Sequence, residues 1–405
     1  MMTLRRLGGS ELVSIVVFQR LTGRLPSSGP DLGQPVRPLA FRSRPRAGSR
    51  LRGYRPERWE PWRDWLILTV LLHLQLVAIA FSGVTGAWLL LAALPLGLTL
   101  ATATLTVLHD AGHRRFSRRA WPNVLAVQSA APVGLWTAHW TLKHRVHHRV
   151  TQVYPLDEAT RSSGLLRLHP GAAWRNVHRR QHLYAWGLYS LAWAGELRSQ
   201  LTFLRTGAVA GTQTPGTRQR ASSFLAEKVL CAAVLLPYAV ALGIVRLGVL
   251  LLAAMTVASL AAATVLVVGH INLGINPPSA TPRGRQWARH QVLTSASFAT
   301  DNAAVRWLTG GMTHHLAHHL RPVAARSELP ALHETVVQDV AAQSSTPVRE
   351  FASLRQAVRG HQARLRELGR NVEPCRPLDA TIGEPLADPL ATGRADTPVL
   401  ATPSR

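Results

Sequence analysis

Four stretches of this chain are apolar over lengths that soluble folds seldom carry: about Trp65 to Phe81, Gly86 to Leu108, Val229 to Val245 and Leu247 to Gly269. A helix needs about twenty mostly apolar residues to cross a bilayer core, and each stretch is near that length. The pattern predicts four membrane-spanning helices. Only Ser82 to Thr85 separates the first two, and only the neighbourhood of Arg246 separates the last two, so they read as two tight hairpins.

Charge is segregated from these stretches. The 405 residues are 47% hydrophobic yet carry a formal net charge of +25, which places the basic residues in blocks between apolar ones. The segments before Trp65, between His109 and Lys228 and after His270 are Arg-rich, whereas both hairpin tips are nearly uncharged. By the positive-inside rule, both termini and the long middle segment are expected on the cytoplasmic side. Two shorter apolar pieces, Val124 to Trp136 and Leu183 to Gly195, are too short or too polar to span. They are expected to be interfacial or re-entrant, with Trp136, Trp186 and Trp193 suited to headgroups or to packing.

Lys143 and Lys228 are the chain's lysines; all its other basic charge is Arg, a bias that GC-rich coding produces without any function. A nucleic-acid binder must also explain the apolar blocks, and no aromatic-rich or zinc-finger motif supports that class. Cys231 and Cys375 are too few for a disulfide framework. The apolar run Leu12 to Phe18 is too brief for a convincing signal peptide.

Histidine is clustered as no charge argument requires. His109 and His113 stand four apart, His144, His147 and His148 form a second set, and His315, His318 and His319 repeat it after Gly310 and Gly311. On a helix, positions three and four apart share a face, so each set converges on one locus. His270 closes the fourth apolar stretch. Imidazole suits zinc, copper, iron and nickel, and eight or nine ligands exceed what one ion can use, so two metals is the simplest count. Isolated His73, His290, His333 and His361 are expected to be satisfied by hydrogen bonds, and His314 to face solvent or to support the ligands without being one. Asp110 and Asp157 are candidates for orienting ligand imidazoles through their other ring nitrogen.

These motifs resemble those of the membrane fatty-acid desaturase family, whose three His boxes hold a di-iron centre. The residues carrying the resemblance are His109-Asp-Ala-Gly-His113 with Asn123, then Trp140 and the His144 to His148 box with Thr151 and Asp157. Trp307-Leu-Thr-Gly-Gly-Met-Thr-His-His-Leu-Ala-His-His-Leu-Arg-Pro322 is similar to the third box of the acyl-lipid and front-end branch. The resemblance implies metal ligation by His109, His113, His144, His147, His148, His315, His318 and His319, with His270 matching a further ligand by position. Many front-end members have Gln where His315 stands, which blurs any inference of double-bond position. His169-Pro170-Gly171 starts the signature of the cytochrome domain fused to some members, but Ala172 breaks it, and a coincidental turn is expected.

The implied activity is O2-dependent insertion of a cis double bond into a lipid acyl chain, with two irons and electrons from a separate donor such as a ferredoxin. A His-box hydroxylase or ketolase acting on lipids or carotenoids is the alternative; from another class, a non-redox membrane zinc protein is a third. The expected fold is all-α: four transmembrane helices in two hairpins and a helical cytoplasmic cap carrying the dimetal site. Residues 58–369 would form the catalytic domain, between an Arg/Pro-rich extension (1–57) and a C-terminal tail (370–405), both without periodicity and expected to be disordered. Within 324–369, one or two cap helices are expected to share a face of Phe351, Leu354, Val358 and Leu365.

Overall fold

The computed structural model describes residues 59–370, apart from 162–163, 210–211, 214–216, 276, 278–280, 282–285 and 344–347. The two terminal extensions therefore lie outside the described residues.

Helix α1 (Glu60–Ser82) begins with Pro61 in its first turn, where a missing N–H costs nothing, and stops at Gly83 in the left-handed conformation. After residues 83–85, α2 (Gly86–Ala103) runs through a π-helical turn (Thr104–Leu108) straight into α3 (His109–Gly112). Then follow α4 (Ala120–Ala130), α5 (Thr137–Arg149), α6 (Gln181–Ser190), α7 (Ala192–Thr206), the short antiparallel pair β1 (Ala208–Val209) and β2 (Thr212–Gln213), α8 (Thr217–Leu242) and α9 (Ile244–Val268). The remainder comprises α10 (Gln286–Thr294), β3 (Ala296–Phe298), α11 (Ala303–Leu308), α12 (His315–Leu320), α13 (Leu329–Gln343), β4 (Arg349–Phe351) and α14 (Leu354–Gly369).

Four helices are long and apolar enough to cross a membrane: Glu60–Ser82, Gly86–Gly112, Arg218–Leu242 and Ile244–Val268. The second has 61% of its most apolar window buried, against 17–22% for the others, so it is the central rod. Gly97 permits its close approach to α9, because a Cβ there would stand 2.6 Å from the Ala254 carbonyl and from Val257. The break between α8 and α9 falls at Gly243 (φ +78°), not at Arg246, which lies inside α9. A positive φ suits glycine and is strained for arginine.

The two shorter apolar pieces sink among the spans. Ser129, at the end of α4, accepts a hydrogen bond on Oγ from Trp65 Nε1 (2.8 Å), and its carbonyl lies 3.2 Å from His73 Nε2, halfway along α1. The Tyr238 hydroxyl of α8 meets the other His73 nitrogen at 2.6 Å. Backbone polar groups at that depth need protein partners, and these side chains supply them. Likewise, the Trp193 amide donates to Ser259 Oγ (3.2 Å) in the middle of α9. Trp136 is not a headgroup anchor: it is buried against Phe203 and Phe224, and its Nε1 donates to Ser223 Oγ (3.2 Å).

The remaining elements gather where α3 and the end of α9 emerge. Strand β3 pairs in parallel with β4, Phe298 opposite Phe351, and Ala296 N donates to the Gly269 carbonyl (2.8 Å). Phe351 is thus a strand residue outside the helical face expected for it; Leu354, Val358 and Leu365 do lie on α14 and pack inward. The short strands sit within a predominantly helical fold.

Candidate metal centre

All nine histidines named from the sequence converge. His109 sits on α3 one residue beyond the π turn, and His113 follows it. His144, His147 and His148 occupy the last turns of α5; His315, His318 and His319 line α12; His270 lies in the turn ending α9. Among the described residues they form two groups of mutually close ligand atoms: His109, His113, His144, His148 and His318, and His147, His270 and His319. His315 joins the second through Nε2, 2.7 Å from His270 Nε2.

In the first group the Nε2 atoms of His113 and His144 are 2.9 Å apart, those of His144 and His148 3.0 Å, and those of His148 and His318 3.1 Å. His109 Nε2 is buried without a hydrogen-bond partner. In the second, His147 Nε2 is 3.0 Å from His270 Nε2, and His319 Nε2 is buried and unpartnered. Nitrogens bound to one ion at about 2.0–2.1 Å stand about 3 Å from one another, which is the spacing of these contacts. The donor set therefore fits two metal ions, one per group.

The second group is oriented from outside. His147 Nδ1 donates to Asp157 Oδ2 (2.9 Å), His270 Nδ1 to the Thr294 carbonyl (2.9 Å) and His319 Nδ1 to Gln291 Oε1 (2.9 Å). Each acceptor pins the ring proton on Nδ1 and leaves the Nε2 lone pair directed inward. Burial pushes His113 down to about 4 and His270 to about 3, and holds His144, His148, His315, His318 and His319 well below the ordinary range. These imidazoles are neutral at pH 7, as metal binding requires. At Asp157 burial pushes the carboxyl up, but the neighbouring His147 ring and its hydrogen bond, with the Gln152 and Ala159 amides, hold it below its usual value.

Asp110 does otherwise. It pairs with Arg115 (2.9 Å) and faces Arg326, in a buried network with Glu60 and Asp64, and it orients no imidazole. His314 is buried beside Thr313 and His333, away from both groups and from solvent. His73, His290, His333 and His361 each have a hydrogen-bond partner. His169 closes a tight turn, the Ala172 amide donating to its carbonyl (3.0 Å).

Sequence reasoning missed Gln291, whose only signal was a polar residue near an isolated histidine. It also missed Glu227, which reaches from α8 to the start of α5. There Oε2 accepts from the Thr137 amide (2.8 Å) and Gln128 Nε2 (3.1 Å). Trp136 occupies the N-cap position and offers no side-chain cap, so the cap of the helix bearing the second histidine set comes from a membrane span.

The fatty acid desaturase family profile matches residues 86–352, two thirds of the chain and all nine candidate ligand histidines. The chain belongs to the fatty acid desaturase family. Among curated proteins, an sn-1 linoleoyl-lipid 6-desaturase of Synechocystis sp. is 26% identical over 316 residues, covering 75% of this chain and 87% of that protein. An sn-1 linoleoyl-lipid 6-desaturase of Arthrospira platensis is 26% identical over 253 residues, covering 60% and 68%. An acyl-lipid omega-13 desaturase of Chlamydomonas reinhardtii is 25% identical over 242 residues, covering 56% and 51%. This desaturase-family chain is an oxidoreductase and a membrane protein.

Proposed function

We propose that the chain is a membrane acyl-lipid desaturase that uses two irons, O2 and electrons from a separate protein to place a cis double bond in a fatty-acyl chain. The observation that carries this reading is the pair of adjoining imidazole groups at one end of four apolar helices, in a chain whose relatives are named as acyl-lipid desaturases. The ligands would be His109, His113, His144, His148 and His318 on one side, and His147, His270, His315 and His319 on the other.

Irons bound there would supply the O2-dependent oxidising power needed to take hydrogen from unactivated methylenes. The balance is –CH2–CH2– + O2 + 2 e⁻ + 2 H⁺ → –CH=CH– + 2 H2O. The protein's own part is position. Asp157, Gln291 and the Thr294 carbonyl aim three imidazoles, Trp140 stacks on His144 (centroids 4.4 Å apart), and burial of most of the rings excludes water. Two hairpins would bring the histidines and both termini to the cytoplasmic face, in accord with the Arg-rich segments. Residues 58–369 would form the catalytic unit.

The test is expression in a host supplying iron and a ferredoxin-type donor, with fatty acids profiled by gas chromatography and mass spectrometry against His147→Ala. A new unsaturated acid absent from the variant is expected. A hydroxylated product would replace the desaturase reading by oxygen insertion, and purified protein holding zinc instead of about two irons per chain would overturn the redox reading.

A further inference from the structure

The histidine cluster is closed on most sides. His109, His148, His270, His315, His318 and His319 are at most 7% exposed, whereas His113, His144 and His147 are half-buried and reach the surface. His113 and His144 make that open edge together, their Nε2 atoms 2.9 Å apart.

The residue after each is an exposed arginine, Arg114 and Arg145. Among the described residues neither pairs with a carboxylate, whereas Arg115, next in the chain, is buried and bound to Glu60 and Asp110. Arg118 and Arg119 continue the exposed basic strip. Arg114 holds φ at +56°, a left-handed backbone uncommon for a side chain of this size. Two exposed guanidiniums without a carboxylate partner among the described residues, each one position beyond a histidine of the open edge, are a place for an anionic surface to arrive.

We infer that the Arg114–Arg145 pair, over the His113–His144 edge, is the docking point of an acidic one-electron carrier protein. This rests on the desaturase reading, which draws two electrons per turnover from outside. Each encounter passes one electron from the reduced carrier, which departs oxidised, to the centre behind the edge. Two encounters supply the two electrons of the balanced reaction. A redox carrier must approach the ligands, and such encounters are small, polar and steered by charge.

The experiment uses the full-length, iron-loaded protein in phosphatidylcholine nanodiscs with an acidic [2Fe–2S] ferredoxin as probe. In Arg114→Gln/Arg145→Gln, the ferredoxin concentration giving half-maximal turnover is expected to rise about tenfold at low salt, with a flatter salt dependence. Dithionite-driven turnover and iron content should be unchanged, and Arg114→Lys/Arg145→Lys should restore most of the ferredoxin response. An unaltered ferredoxin dependence, or an equal loss with dithionite, overturns the proposal. So does weakened binding to phosphatidylserine vesicles with ferredoxin kinetics intact, which would assign the pair to a lipid surface. A wild-type protein that turns over with dithionite but ignores ferredoxin defeats docking alone; one that turns over with neither sinks the desaturase reading and this inference with it.

Discussion

Asp157 holds three donors at once: His147 Nδ1 and the Gln152 amide (2.7 Å) on Oδ2, and the Ala159 amide (3.0 Å) on Oδ1. An asparagine fills the same space but offers one oxygen and one NH2, so one of these N–H groups would face another. Asp157→Asn should weaken metal retention about 10–100-fold, the usual cost of losing a partner that orients a ligand imidazole. Iron release to a chelator measures it, and unchanged release would mean that His147 needs no such orientation. The histidines themselves were legible because helical spacing alone puts i, i+3 and i+4 on one face. Their supports were only half so. Asp110 and Asp157 look alike in sequence, yet only Asp157 reaches a ring, because Arg115 and Arg326 claim Asp110. Gln291 carries no motif, since its role depends on α10 crossing α12.

The spans were legible as elements because apolar length is a one-dimensional property, while the devices that seat them are three-dimensional. The π turn at Thr104–Leu108 is one. It precedes His109 directly, and a Cβ on Gly310 would stand 2.2 Å from the Leu105 carbonyl inside it. The glycine pair before the third histidine set is thus fitted to the backbone beneath the first. Glu227 is another such device, capping α5 from a different part of the chain. Glu227→Ala should cost about 1 kcal/mol or somewhat more through the lost cap, a drop of a few degrees in melting temperature for a chain of this size. It should also loosen the His144, His147 and His148 set. Glu227→Gln, which still accepts from the Thr137 amide, should recover most of the stability. Melting curves and iron content of the two variants, side by side, check this; equal losses in both would show that the carboxylate charge, not the cap, is what matters.

At the scale of the whole molecule, several histidines outside the candidate ligands are buried in neutral form. Burial pushes His361, His290, His169 and His314 each to about 4. His361 illustrates the cause: its Nδ1 donates to the Ile271 carbonyl (2.5 Å) and its Nε2 accepts from the Tyr189 hydroxyl (2.9 Å), leaving no site for a second proton. An unfolded histidine binds that proton near pH 6.5. Below that pH the unfolded chain therefore holds more protons than the folded one, and stability rises with pH until the difference vanishes. The stability each ring contributes is fully present above about pH 6.5, declines as pH falls, and is lost near 4. For His361 alone this is on the order of 3 kcal/mol at the acid end. The chelator-treated, detergent-solubilised protein should show a flat unfolding midpoint from pH 8 to about 7 and a steep fall between about 6.5 and 4. His361→Gln keeps a donor for Ile271 and an acceptor for Tyr189 but cannot titrate, so its fall should be visibly shallower. An unfolding midpoint that declines equally in both proteins would show that His361 is not a source of the acid sensitivity.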